Sequence, residues 1–169
     1  MDGAVKKIYI AGPDVFEPNS IQIGEKYSKL CKNYGFKGLY PLDNVVDFKQ
    51  EKQKIALDIY KANIKLIQEA DIVIANLNPF RGKEADSGTI WECGYAIGLG
   101  KEVYGYMDNT SDYVDQFFDE EKNLSDDIYV DLKRRTIEDF NHPINLMIAC
   151  SCTAIVEGGF EDVLKQCKH

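Results

Sequence analysis

Strand-like and helix-like stretches alternate from one end of this 169-residue chain to the other. That order predicts an α/β fold, an open parallel sheet of about five strands flanked by helices and joined by right-handed crossovers. Three observations carry the prediction. Asp71–Leu77 (DIVIANL) is apolar on both faces, as a central parallel strand covered by helices should be. Lys7–Gly12 (KIYIAG) is a second short apolar run and empties into Gly-Pro. Between these runs, apolar residues return at helical spacing.

Taken in order, Lys7–Gly12 is the first strand. From about Ser20 to Tyr34, the residues Ile23, Tyr27, Leu30, Cys31 and Tyr34 fall near helical spacing, and Gly35 stops that helix. Phe36–Leu42 reads as a second strand closing in Tyr-Pro-Leu-Asp-Asn. About Lys52 to Glu69 carries Leu57, Tyr60, Ile64 and Ile67 on one helical face. Asp71–Leu77 is the third strand and Glu102–Met107 (EVYGYM) the fourth, with a buried helix expected between them. Some helix is expected near Tyr113–Phe118, a short helix at Asn145–Cys150, a last strand at Thr153–Glu157 and a closing helix at Phe160–Gln166. No repeat or low-complexity tract interrupts the chain, so residues 1–169 are read as one domain.

Composition excludes several function classes. Hydrophobic content of 44% and charged content of 28% are ordinary for a globular chain. No apolar run approaches the ~20 residues that span a bilayer. The first residues read as a strand rather than a secretory leader, so no membrane and a cytoplasmic location are expected. The net charge of -8 is concentrated: residues 108–142 hold eleven acidic against four basic residues, and the rest holds 17 against 16. Without a basic stripe, nucleic-acid binding is not expected. The acidic stretch reads either as a solvated surface insertion or as a lid. Five cysteines, none in a C-x-x-C pair, and two histidines argue against zinc and for reduced, mostly buried thiols. A Ser-His-Asp or Cys-His arrangement would have to use His142 or His169. Gly94, Gly98 and Gly100 do not form a dinucleotide or phosphate-binding fingerprint.

In open parallel sheets the ligand sits beyond the carboxyl ends of the strands. Three loops converge there: the one after Gly12, the one at Pro41–Asn44 and the one from Asn78 to Thr89. The last leads into two carboxylates, Asp86 and Glu92. Thr89-x-x-Glu92 fits a capping box, which predicts Thr89 as N-cap and Glu92 in the first helical turn. There the helix dipole would keep Glu92 ionised, the state a nucleophile needs. Asp86 can share a cavity with Glu92 if Ser87-Gly88 forms a turn, and the two could then divide acid and nucleophile roles. Capping and catalysis are both compatible with these residues.

IYIAGPDVF (Ile8–Phe16), YPLDN (Tyr40–Asn44), ADIVIANL (Ala70–Leu77), DSGTIWECGYA (Asp86–Ala96) and PINLM (Pro143–Met147) resemble the nucleoside 2-deoxyribosyltransferases, in that family's order. The resemblance covers nearly the whole chain outside the acidic segment. It implies a flavodoxin-like sheet and transfer of the 2-deoxyribosyl group of a 2′-deoxyribonucleoside to a free nucleobase. Glu92 matches the family nucleophile, Asp86 the acid that protonates the departing base, and Tyr9 the tyrosine holding the nucleophile. Gly12, Phe16, Asp43 and Gly88 fall in matching blocks and are expected at the substrate. Asn145 and Met147 match residues lent by a neighbouring subunit, which implies a homo-oligomer between dimer and hexamer. No metal or cofactor is implied. Where many members carry an aspartate eight residues before Asp71, this chain has Asn63, which can hydrogen-bond substrate but cannot act as an acid. Asn44 is followed by Val45 where some members have a base-reading glutamine. The Asn78–Gly82 loop looks like that of purine-favouring members, and Arg81 could donate to a purine oxygen or merely pair with the acids around it. The rival readings are an N-glycosidase hydrolysing deoxynucleosides or their 5′-monophosphates, and a non-catalytic nucleotide-sensing domain.

Overall fold

A computed structural model describes residues 4–44 and 47–167, so Val45 and His169 lie outside the described residues. The elements run β1 (Lys7–Ala11), α1 (Ser20–Asn33), β2 (Lys37–Leu39), α2 (Lys52–Glu69), β3 (Ile72–Asn76), α3 (Ser87–Gly98) and β4 (Glu102–Met107), then β5 (Lys122–Ser125), β6 (Ile128–Asp131), α4 (Leu146–Ala149), β7 (Ala154–Glu157) and α5 (Phe160–Gln166). Five strands form one parallel sheet in the order β2-β1-β3-β4-β7. The chain leaves β1 toward β2 on one side and returns to β3 on the other. That reversal opens a crevice at the carboxyl ends of β1 and β3.

Alternation along each strand divides the core between two faces. Tyr9 and Ala11 of β1, with Val73 and Ala75 of β3, pack toward Ile67, Cys93, Ala96 and Ile148 on α2, α3 and α4. Ile8, Ile10, Ile72 and Ile74 pack on the opposite face with Cys31 of α1 and Phe160, Val163 and Leu164 of α5. Tyr9 therefore points from the sheet to the face that α3 covers. Among the described residues no helix is long and apolar enough to cross a membrane.

Three expectations change. The second strand ends at Leu39, because Pro41 has no N–H for a ladder and opens a 3-10 turn, Pro41–Asp43, in which the Asp43 carboxylate accepts the Tyr40 N–H at 3.1 Å. The helix expected near Tyr113–Phe118 is a short 3-10 helix, Tyr113–Gln116, and the acidic segment also holds an unforeseen antiparallel hairpin, β5–β6. The residues reversing that hairpin, Asp126 and Asp127, take positive φ of 51° and 63°. The five cysteines are free thiols, yet only Cys31 and Cys93 are buried; Cys150 is exposed.

The excursion is fastened at both ends of its neighbourhood. Lys83 pairs with Glu121 at 2.8 Å, and the Tyr113 hydroxyl donates to Glu84. The Tyr113 N–H donates to the His142 carbonyl at 2.7 Å, and the Gln116 amide to the Pro143 carbonyl at 2.7 Å. It thus ties the loop ahead of α3 to the loop ahead of α4.

Candidate active site

Helix α3 begins three residues earlier than the capping-box pattern predicts. Asp86 is the N-cap: its Oδ2 accepts the Thr89 N–H at 2.8 Å and the Thr89 hydroxyl at 2.9 Å. Asp86-x-x-Thr89 and Thr89-x-x-Glu92 have the same spacing, and a charged acceptor is the stronger cap. Ser87 and Gly88 join the first turn, and Glu92 moves to the second, beyond most of the dipole's reach. Gly88 has its own role, since a Cβ there would lie 3.1 Å from Asp86 Oδ2.

Glu92 then reaches toward β1, where the Tyr9 hydroxyl donates to Oε1 at 2.6 Å. Tyr9 is otherwise fully buried, so its single polar atom is spent on this carboxylate. Burial pushes the Glu92 carboxyl up to about 7. The Tyr9 hydrogen bond opposes that rise, the Asp86 charge adds to it, and the Asn63 amide opposes it. The expectation that a helix dipole holds Glu92 firmly ionised is therefore replaced: desolvation dominates and leaves the group poised near neutrality. Tyr9 itself is raised far above the ordinary phenol range, first by burial and then by Glu92, and stays protonated as a donor.

Asp86 and Glu92 share one cavity of about 630 Å³, within the range of small-ligand sites. Gly12, Asn63, Gly88 and Thr89 also line it, and Val15, Phe16, Ile21, Leu42, Phe48 and Ile59 make its walls largely apolar. Among the described residues that line it there is no Lys, Arg or His. Gly12 brings the β1 loop close to β3, since a Cβ there would lie 2.9 Å from that of Asn76 and 2.5 Å from Asp14 Oδ2.

Sequence-predicted residues fall into two groups. Tyr9, Glu92, Asp86, Gly12, Phe16, Asn63 and Gly88 come together around this cavity. Asp43, Arg81, Asn145 and Met147 do not line it. Asp43 holds its own turn. Arg81, at φ 53°, lies 4.6 Å over Phe80 and 5.3 Å over Phe16, and so packs on that stacked pair of rings. Asn145 caps α4 through Met147 N–H at 3.0 Å and donates to Glu138 Oε1 at 2.6 Å, while Met147 is 69% exposed.

Two residues acquire roles that the sequence did not assign. Asn44, expected only as the end of a loop on the ligand side, lines the cavity and bonds Asn63; Glu138, which no local motif marks, clamps Asn145. Another cavity of about 570 Å³ lies between Lys83 and the β5–β6 region, and two ion pairs lie within its lining, Lys83 with Glu121 and Arg135 with Asp131. Among the described residues no group of three or more His, Cys, Asp or Glu could hold a metal ion.

A sequence profile of the nucleoside 2-deoxyribosyltransferase family matches residues 8–147. The chain is similar to a 2-desoxiribosyltransferase structure from Leishmania mexicana, with 33% identity, a TM-score of 0.77, and coverage of 96% of this chain and 97% of that one. It shares a fold with a 2-deoxyribosyltransferase of Bacillus psychrosaccharolyticus at 24% identity and TM-score 0.60, covering 94% and 90% of the two chains. It is 33% identical over 102 residues to an uncharacterized protein of Schizosaccharomyces pombe, a match covering 59% of this chain and 48% of that relative.

Proposed function

The chain belongs to the nucleoside 2-deoxyribosyltransferase family, and from that premise we propose that it moves the 2-deoxyribosyl group of a 2′-deoxyribonucleoside to a free nucleobase, with a preference for purines. The observation that carries the proposal is a carboxylate poised near neutrality, held by Tyr9 and facing a second carboxylate across one apolar cavity.

In the first step a Glu92 oxygen bonds to C1′ as the C1′–N bond breaks. The bonding pair leaves with the base, and Asp86 supplies the proton the base needs. The product is a deoxyribosyl ester on Glu92. In the second step a new base attacks C1′, the ester bond breaks back to the Glu92 carboxylate, and Asp86 recovers a proton from the incoming base. Two displacements retain configuration at C1′. The Tyr9 hydroxyl keeps Glu92 aimed and stabilises its anionic form on departure. Asp86 Oδ2 accepts both bonds from Thr89, which orients the carboxyl group and leaves its other oxygen uncovered among the described residues.

The apolar walls suit the faces of a purine and keep water from competing for the ester. A lining with two acids and no cation favours an uncharged nucleoside over a 5′-monophosphate. Asn145 and Met147, outside their own cavity and on an exposed turn, are proposed to serve a neighbouring subunit's site in a homo-oligomer. The proposed location is the cytoplasm.

The test is exchange between deoxyinosine and adenine, followed chromatographically. The native chain is expected to form deoxyadenosine, and Glu92→Ala to lose the activity by more than about a thousandfold. Undiminished exchange in that variant ends the nucleophile assignment. Release of free base from dAMP, faster than any exchange, would replace transfer with nucleotide hydrolysis.

A further inference from the structure

Asn44 lines the same cavity as Asn63 and Glu92. Its Nδ2 donates to the Pro41 carbonyl at 2.9 Å and to Asn63 Oδ1 at 3.5 Å. A main-chain carbonyl only accepts, so Pro41 dictates which end of the Asn44 amide turns inward. The NH2 group then requires an oxygen from Asn63. With its oxygen turned to Asn44, Asn63 has its own NH2 free for the cavity it lines together with Glu92.

We propose that Asn44 is a positioning residue: by holding the Asn63 oxygen it turns the Asn63 NH2 group toward the cavity that both amides share with Glu92. The catalytic meaning rests on the transferase reading, while the geometry does not. A reversed Asn63 amide would put a carbonyl oxygen against the carboxylate and repel its charge. The groups facing Glu92 are Tyr9 from β1, Asp86 from the start of α3 and the neighbouring Cys93 on the same helix. From α2 the neutral amide of Asn63 acts on it, and Tyr60 lines a small cavity beside it. The amide lowers the proton affinity without adding a titrating group, as an aspartate at this position would. Two carboxyls side by side would instead share a proton and hold one of them protonated.

The experiment is an NMR titration of the enzyme carrying glutamate labelled with 13C at the side-chain carboxyl, with no substrate present. Asn44→Ala is expected to raise the Glu92 midpoint by about half a unit to one unit. Asn63→Leu should raise it at least as far, and Asn44→Ala should add nothing in the Asn63→Leu background. The acid limb of kcat/KM against pH should move by the same amount. A midpoint that moves in Asn63→Leu but not in Asn44→Ala overturns the proposal, and so do shifts that simply add. Should Asn44→Ala fail to fold, the native enzyme still decides: the Asn63 carboxamide protons are expected to follow the Glu92 titration, and protons indifferent to it overturn the proposal. Exchange in Glu92→Ala tests the nucleophile separately, so either reading can fail alone.

Discussion

Glu92 sits where β1, α2 and α3 meet, with the buried Tyr9 hydroxyl against it, whereas Asn145 sits on a loop between a surface excursion and the four-residue helix α4. The first side chain is defined by what has been removed around it. Burial raises its proton affinity, and a few donors restrain the rise. The second is defined by what has been added: Glu138 accepts from Asn145 Nδ2 at 2.6 Å and from the Leu146 N–H at 2.8 Å, so both carboxylate oxygens are used to hold shape. The sheet end thus sets chemistry by desolvation, and the excursion sets geometry by hydrogen bonds. Substitutions on the first side should change pH dependence, and substitutions on the second should change substrate affinity.

Asp86 tests this division most severely because it belongs to both kinds. Asp86→Asn keeps the helix cap but loses the acid, so exchange is expected to fall about 10²–10⁴-fold with little change in melting temperature. Asp86→Ala should lose a further ~1 kcal/mol of stability with the cap. Parallel losses of activity and stability in Asp86→Asn would reduce Asp86 to a structural residue.

The buried Glu92 should also carry a stability cost that its partners only partly offset. Its folded-state carboxyl lies near 7 instead of the ordinary 4.5. The folded state therefore binds a proton that the unfolded state has released across that window, and stability declines as pH rises through it. Glu92→Gln keeps an acceptor for Tyr9 and removes the charge. It should be inactive yet more stable than the native chain by about 2–3 kcal/mol at pH 8, with little gain at pH 4, measured by denaturant unfolding. An equal gain at both pH values would contradict desolvation as the cause.

Smaller effects separate the two regions more finely. Tyr9→Phe deletes the 2.6 Å bond to Glu92 and should slow exchange about tenfold while moving the acid limb of kcat/KM upward. Glu138→Gln leaves one acceptor where two were used. It should raise KM about threefold to tenfold with an unshifted pH profile, since the change is to the shape of the Asn145 turn. A shifted profile in Glu138→Gln would erase the distinction drawn here.

The sheet was readable in the sequence because each strand obeys a local rule. Ile72–Asn76 is apolar on both faces, and α2 keeps one apolar spacing from Lys52 to Glu69. The start of α3 was not, because two overlapping three-residue offsets compete and the winning cap depends on the loop reaching Asp86. The β5–β6 hairpin was hidden by short strands of mixed polarity and a reversal through two aspartates instead of the usual Asn-Gly. Tyr9 and Glu92 were paired only through family resemblance, since 83 residues separate them. Glu138 escaped altogether, and Asn44 was marked only as part of the Pro41–Asn44 loop: an amide and a carboxylate carry no signature until the fold supplies a partner.

Rapid quenching of the enzyme with a deoxynucleoside and no acceptor base, followed by peptide mass spectrometry, addresses the covalent step itself. The peptide containing Glu92 is expected to gain the mass of one deoxyribosyl group, and adding a free base before the quench should discharge it. A label on Asp86, or active exchange with no labelled peptide at any quench time, would contradict Glu92 as the nucleophile.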